Sequence, residues 1–141
     1  MSRQAELNQV ETRIRVVAGI LTNQDGEILI ASRVRSRSMK DRWEFPGGKL
    51  AAGESPETAL NRELTEELGI RVVSVRHFQY IEHDYPDLNV AIDFFLVDEW
   101  QGEPRGCEGQ KIRWVTVSRL GEQELLPADA PVIEKILSLR L

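Results

Sequence analysis

Arg62, Glu63, Glu66 and Glu67 crowd one short stretch of the chain. If that stretch is helical, a step of about 100° per residue puts Glu66 and Glu67 about 60° and 40° to either side of Glu63, on one face. Like charges three and four apart weaken an isolated helix. At ~6 Å and an effective dielectric near ~20, each pair costs roughly 3 kcal/mol, most of which vanishes on a fully solvated face. Arg62, four residues before Glu66, offsets only part of it. The plain alternative is an ordinary acidic surface. Against it stands the approach to the segment: Gly47-Gly48 lets backbone come close to a ligand or ion, and Glu54 lies at the helix entrance. Hard divalent cations take several carboxylate and carbonyl oxygens, so a glycine bend beside a carboxylate face predicts a site for Mg²⁺, with Mn²⁺ as the alternative.

The elements that would position these groups are readable from periodicity and punctuation. Ser55 is an N-cap candidate with Pro56 at the first helical position, and Gly69 stands where a glycine would end the helix, so 56–68 is predicted helical. Leu60, Leu64 and Leu68 form an apolar stripe for docking on a sheet. Ile14–Thr22 reads as a strand, 23–26 as a turn, and Glu27–Ser32 as the returning strand of a hairpin. Trp43-Glu44-Phe45 reads as a short strand, 72–82 and 90–99 as two more joined through 85–89, and 111–117 as a last one. A short helical stretch after Ser118 and a better one over 131–139 close the chain, with Val132, Ile133, Ile136, Leu137 and Leu139 at core-type spacing. The interspersed elements lack a regular βαβ alternation, so the expected class is mixed α/β (α+β), a sheet sandwiched between helices.

The chain has 141 residues, 41% of them apolar and 29% charged, and a formal net charge of −5. That length suits one domain, 1–141, with residues 1–12 expected to be poorly ordered. The acidic balance disfavours a surface built to grip nucleic acid. One cysteine, Cys107, leaves no internal disulfide and fits a reducing compartment. No signal peptide or membrane-length apolar run is apparent, so the expectation is a cytoplasmic protein without a membrane partner, monomeric or homodimeric.

The run from Gly48 to Ile70, GKLAAGESPETALNRELTEELGI, resembles the Nudix box, G-x5-E-x7-R-E-U-x-E-E-x-G-U with U aliphatic, at every position. Its seven fixed residues would coincide by chance with a probability on the order of 10⁻⁸ or less. The flanking Trp43-Glu44-Phe45-Pro46-Gly47 and the distal Pro127-Ala128-Asp129-Ala130-Pro131 are similar to the MutT branch of that family. The resemblance implies a Nudix fold over nearly the whole chain. It also implies metal-dependent hydrolysis of a nucleoside triphosphate to the monophosphate and pyrophosphate.

Carried over residue by residue, the resemblance assigns Glu63, Glu66, Glu67 and the Gly47 carbonyl to metal or metal-bound water. Arg62 would orient Glu63, and Glu54 would support the loop-helix junction. Glu108, in Gly106-Cys107-Glu108-Gly109-Gln110, stands where the branch places a loop carboxylate for metal or base duty, and the choice of base between Glu63 and Glu108 stays open. Arg33 stands where an arginine meets substrate phosphates, with Glu44, Phe45, Pro46 and Gly48 at the substrate. Five of the eighteen basic residues (Arg33, Arg35, Arg37, Lys40 and Arg42) fall within ten positions, a local basic patch suited to polyphosphate.

Base recognition is where the sequence departs from the 8-oxo-dGTP hydrolases. Asp129 replaces an asparagine and Leu88 a polar residue. An amide donates and accepts, whereas an ionised carboxylate only accepts. The leading expectation is a nucleotide-pool sanitising enzyme acting on 8-oxo-dGTP or a related modified dNTP. The alternatives are a CTP/dCTP-type or broad-specificity hydrolase and, in another class, a non-catalytic Nudix-like nucleotide-binding module. His77, His83 and Cys107 have no spaced partners for zinc or nucleophilic chemistry. Trp43, Trp100 and Trp114 read as structural.

Overall fold

The computed structural model describes residues 13–33 and 42–139. The expectations for residues 1–12 and for Arg35, Arg37 and Lys40 lie outside the described residues. Among the described residues, seven strands run β1 (Ile14–Leu21), β2 (Glu27–Ser32), β3 (Trp43–Glu44), β4 (Gly47–Lys49), β5 (Arg71–Tyr85), β6 (Leu88–Gln101) and β7 (Ile112–Thr116). The described residues also form the helices α1 (Pro56–Leu68) and α2 (Ala130–Leu139) and the 3₁₀ segments Val117–Glu122 and Pro127–Asp129. The stretch after Ser118 is thus a 3₁₀ turn rather than an α-helix.

The strands form a four-stranded sheet, β4-β1-β6-β5, and a three-stranded one, β3-β2-β7. β1 runs parallel to β6 and antiparallel to β4. The hairpin expected of β1 and β2 does not form. Asn23 does make the turn, its Oδ1 accepting from the Asp25 and Glu27 N–H groups at 3.0 and 2.9 Å. Beyond a single bridge, Thr22 to Ile28, the two strands part into different sheets. The reason is burial. Both strands are apolar on both faces, and each finds a more extensive pairing elsewhere: β6 takes β1 over eight residue pairs, and β7 takes β2 over five.

The core lies on two sides of these sheets. On one, Leu60, Leu64 and Leu68 of α1 pack with Val17, Leu29, Phe95 and Val97. On the other, Val132 and Ile136 of α2 pack with Ile20, Ile28, Phe94 and Leu120. Leu137 and Leu139, expected in the core, are 39% and 68% exposed. The α2 stripe is narrower than its composition suggests, because only one helical face meets the sheets. Trp100 and Trp114 stack 6.3 Å apart, and the Arg113 guanidinium lies over the Trp43 ring.

α1 begins where Ser55 Oγ accepts from the Thr58 N–H and ends at Gly69, φ 70°, whose N–H returns to the Thr65 carbonyl. Leu64 is fully buried at its centre. Leu64→Ala is expected to destabilise the protein by about 3 kcal/mol in chemical denaturation, since the sheet face beneath cannot collapse onto the gap. A loss below about 1 kcal/mol would mean that α1 docks loosely. Among the described residues, no helix is long and apolar enough to cross a membrane.

Candidate active site

The last turn of α1 leaves carbonyls that need donors from outside the helix. The loop before β7 supplies the donors. Arg105 N–H reaches the Leu68 carbonyl at 2.9 Å, and Cys107 N–H reaches that of Glu67 at 3.0 Å. Gln110 adds a clamp, its Nε2 donating to the Glu67 carbonyl and its Oε1 accepting from the Glu108 N–H, both at 2.9 Å. Glu108 is carried beside the helix carboxylates by this backbone stitching. Gln110 was legible only as context for Glu108; no spacing rule marks a clamp.

On the opposite side, β4 brings its glycines against the same carboxylates. A Cβ on Gly48 would lie 2.3 Å from the Glu63 carboxyl carbon, and one on Gly47 would lie 1.9 Å from the Val17 carbonyl oxygen of β1. The Gly47 N–H hydrogen-bonds the Glu67 carboxyl. Close approach is therefore the reason for both glycines, one facing the acidic helix and one facing the neighbouring strand.

Arg62 organises the other flank. It meets Glu54 through two nitrogens at 2.8 Å each, Glu63 at 2.9 Å, and the Lys49 carbonyl at 3.0 Å. Glu54 also accepts from the Ala51 N–H at 2.8 Å. The Arg62 bonds and the Ala51 amide hold the Glu54 carboxyl down to about 2. Glu66 is the outlier on this face. Its side chain is 54% exposed and meets Arg62 at 3.6 Å, so solvent already screens much of its charge.

Glu67 is the centre of the cluster. Burial first, then the charges of Glu63, Glu44 and Glu108, push its carboxyl up to about 8, against a smaller opposing pull from the Gly47 N–H. Glu63 is likewise raised, chiefly by burial, with Arg62 opposing and Glu66 and Glu108 adding to it. Three carboxylates thus act on Glu67, while Arg62 is shared among Glu54, Glu63 and Glu66 and Arg33 is paired with Glu44. Every donor offered is a carboxylate or carbonyl oxygen, the set that suits a hard divalent ion and not a soft one. Among the described residues, no three His, Cys, Asp or Glu side chains converge as a ready-made ligand set.

Beyond the glycines lies a cleft of about 290 Å³. Val16 and Ala18 of β1 and Ile92 and Phe94 of β6 line it, with Phe45, Tyr85, Leu88, Leu126 and Asp129 around them. Phe45 is a core residue set edge-on to Phe94 at 6.1 Å and at the same time a wall of the cleft. Pro46 is buried in the bend and its carbonyl accepts from the Gly19 N–H at 2.8 Å. Arg33 forms an ion pair with Glu44 at 2.8 Å, leaving its buried Nε without a partner. Burial pushes the Glu44 carboxyl up while Arg33 pulls it down. Arg33 therefore enters the cleft already neutralised in part, not as the free cation a solvated loop would offer.

Tyr85 was not singled out by the sequence. Its hydroxyl accepts from the Ala128 N–H at 3.1 Å, tying the tip of the β5–β6 hairpin to the turn that carries Asp129. A second unforeseen group lies on the outer sheet, where Asp93 accepts from Arg15 at 3.1 Å and pairs with His77 at 2.8 Å. His77 is thus a surface-packing residue, set edge-on to Phe95. Cys107 is exposed.

A two-sheet α/β sandwich whose acidic helix faces a double-glycine strand defines a class. The NUDIX domain profile matches residues 12–136, and the chain belongs to the Nudix family. Among curated relatives, it is 40% identical over 124 residues to an Escherichia coli (strain K12) protein named 8-oxo-dGTP diphosphatase, covering 88% of this chain and 96% of that one. It is 33% identical over 127 residues to the CTP pyrophosphohydrolase of the same strain, covering 90% and 93%. Among solved structures, a MutT structure from work on Aliivibrio salmonicida and Vibrio cholerae superposes with a TM-score of 0.76 at 41% identity, covering 89% of this chain and 97% of that one.

Proposed function

We propose that this chain is a divalent-metal-dependent nucleoside triphosphate pyrophosphohydrolase of the pool-sanitising kind, acting on 8-oxo-dGTP or a related modified dNTP. The observation that carries this reading is the placing of Glu63 and Glu108 about the half-buried Glu67 carboxyl, with the Gly47-Gly48 strand between that carboxyl and the cleft. Glu63, Glu66, Glu67, Glu108 and the Gly47 carbonyl would hold Mg²⁺ or Mn²⁺, which when bound neutralises phosphate charge and lowers the pKa of water.

The chain's own groups set up the rest. Arg62 fixes Glu63 and Glu54 in one arrangement, so the helix carboxylates need little reordering when a polyphosphate arrives. Burial and the neighbouring charges give Glu67 a high proton affinity in the free protein, so occupation by a cation releases a proton near neutral pH. The apolar walls around Phe45, Ile92 and Phe94 admit a base, and the Arg33–Glu44 pair stands between the base end and the carboxylates. Asp129, at the base end, supports a second reading. A carboxyl there favours a CTP/dCTP-type substrate, in line with the likeness to a CTP pyrophosphohydrolase. The retained box glutamates weigh against a non-catalytic module.

A side-by-side assay of 8-oxo-dGTP, dGTP, CTP, dCTP and a 5-substituted dCTP tests this, with Mg²⁺ and with Mn²⁺. The expected products are the monophosphate and pyrophosphate. Release of orthophosphate alone, or no turnover of any of the five, would overturn the proposal.

A further inference from the structure

Glu108 stands in a tight turn bounded by glycines. Gly109 has φ 82°, a conformation that residues with a Cβ rarely adopt. A Cβ on Gly106 would lie 2.0 Å from the Gln110 carbonyl oxygen, so the chain folds back on itself between those two positions. The Gly109 N–H closes the turn on the Gly106 carbonyl at 3.3 Å. These contacts give the turn its shape but do not set its distance from α1. The Arg105 and Cys107 amides hook the arm that leads into it to the carbonyls of Leu68 and Glu67. Glu108 itself comes after both hooks.

Charge works against this placement. Glu108 acts on both Glu63 and Glu67 as a like charge, which pushes the turn outward. The Gln110 side chain opposes that push by reaching back over the turn. Its Nε2 donates to the Glu67 carbonyl and its Oε1 accepts from the Glu108 N–H, both at 2.9 Å. A carbonyl only accepts and a backbone N–H only donates, so the amide fits in one orientation and both of its ends are used. A carboxylate of the same length lacks the donor, and an apolar side chain lacks both. One amide thereby joins the backbone of Glu67, on the last turn of α1, to the backbone of Glu108.

We propose that Gln110 is a positioning residue, whose amide sets the distance between Glu108 and Glu67 so that both carboxylates serve one divalent cation. The inference rests on the cation site of the proposed enzyme. Gln110 acts through Glu108 and not on the cation. A working site holds its groups to within about 0.5 Å, and that placement comes from the residues behind them. Cut from α1, a turn with two glycines spreads Glu108 over many positions, and ordering it again costs conformational entropy at the moment of binding. Glu108 then contributes little, and replacing it changes little more.

Two measurements on the full chain test this, neither of them reading hydrolysis. Gln110→Met keeps the length of the side chain and removes both bonds; Gln110→Ala carries the same readouts if the methionine variant does not fold. The first measurement follows amide hydrogen exchange by NMR in the metal-free protein. The Glu108 amide is expected to exchange at least about fivefold faster in Gln110→Met, while the amides of α1 keep their rates. An unchanged Glu108 rate overturns the proposal. Loss of protection throughout α1 overturns it too, since Gln110 would then be holding the fold and not one carboxylate. The second takes the Kd of Mn²⁺ by calorimetry for wild type, Gln110→Met, Glu108→Gln and the double variant. Gln110→Met is expected to weaken binding about tenfold, yet by less than about twofold in the Glu108→Gln background. Losses that multiply, or wild-type affinity in Gln110→Met, overturn the link through Glu108. Absence of Mn²⁺ binding in the wild type overturns the proposed function and this inference with it; failure of the inference alone leaves wild-type binding in place and shows only in the variants.

Discussion

Glu67→Gln is expected to reduce Mg²⁺-dependent hydrolysis by about 10³-fold or more, because it removes a charge from the group that would neutralise the transition state through the metal. The same variant is expected to be more stable than the wild type at pH 8 when no divalent ion is present. The sign follows from linkage. The folded Glu67 carboxyl is raised to about 8, from an ordinary value near 4.5. Between those values the folded state binds a proton that the unfolded chain has released, so stability falls as pH rises through that window. Partial solvent access trims the effect, leaving about 2 kcal/mol between the ends of the window. That amounts to roughly 5 °C in Tm. The glutamine cannot ionise and loses this slope. Added Mg²⁺ stabilises the wild type at pH 8 by binding only the folded state, and this gain shrinks in the variant. Calorimetry at pH 5 and pH 8, with and without Mg²⁺, measures all of these. Near-wild-type turnover, or identical pH slopes in the two proteins, would remove Glu67 from the centre of the site.

The second large effect separates two adjacent glycines. Gly48→Ala would drive a methyl group into the Glu63 carboxyl at 2.3 Å. That carboxyl is the far end of a flexible side chain, so it swings away, breaks its contact with Arg62 and leaves the backbone alone. The expected outcome is a folded protein with Tm within about 3 °C of wild type and kcat lowered by about 10²-fold, the effect of displacing a reacting group by an ångström or so. Gly47→Ala meets the Val17 carbonyl oxygen at 1.9 Å instead. Backbone cannot swing aside. The β1–β4 pairing must open, and the expected loss is several kcal/mol of stability. Kinetics and melting of the pair distinguish a site glycine from a fold glycine, and equal losses of stability would contradict the distinction.

The sequence read Gly47 and Gly48 alike, as backbone able to approach a ligand or ion, and only the packing around them separates the two. The α1 boundaries were legible because Ser55, Pro56 and Gly69 act locally, each within one turn of the residues it governs. The Leu60–Leu64–Leu68 stripe was legible for the same reason. The β1–β2 hairpin was misread because turn chemistry at Asn23 fixes a reversal but not a partner; pairing was won by β6 and β7, about seventy to ninety residues away. Leu137 and Leu139 were misassigned because apolar spacing says which face could be buried and not how much sheet is there to bury it.

The chemistry of the helix was determined by the sequence alone: carboxylates three and four apart share a face on any α-helix, and the box around them marks the family. Tertiary structure alone decided their electrostatics. Glu66 was left in solvent, Glu67 was placed among three other carboxyls, and Glu108 was brought to them by amides reaching the end of α1. It also buried Asp129, which pushes that carboxyl above the ordinary aspartate range. The physical reason is common to all four. A side chain's charge depends on its hydration and on the charges beside it, and both are set by segments remote in the chain that folding packs against it.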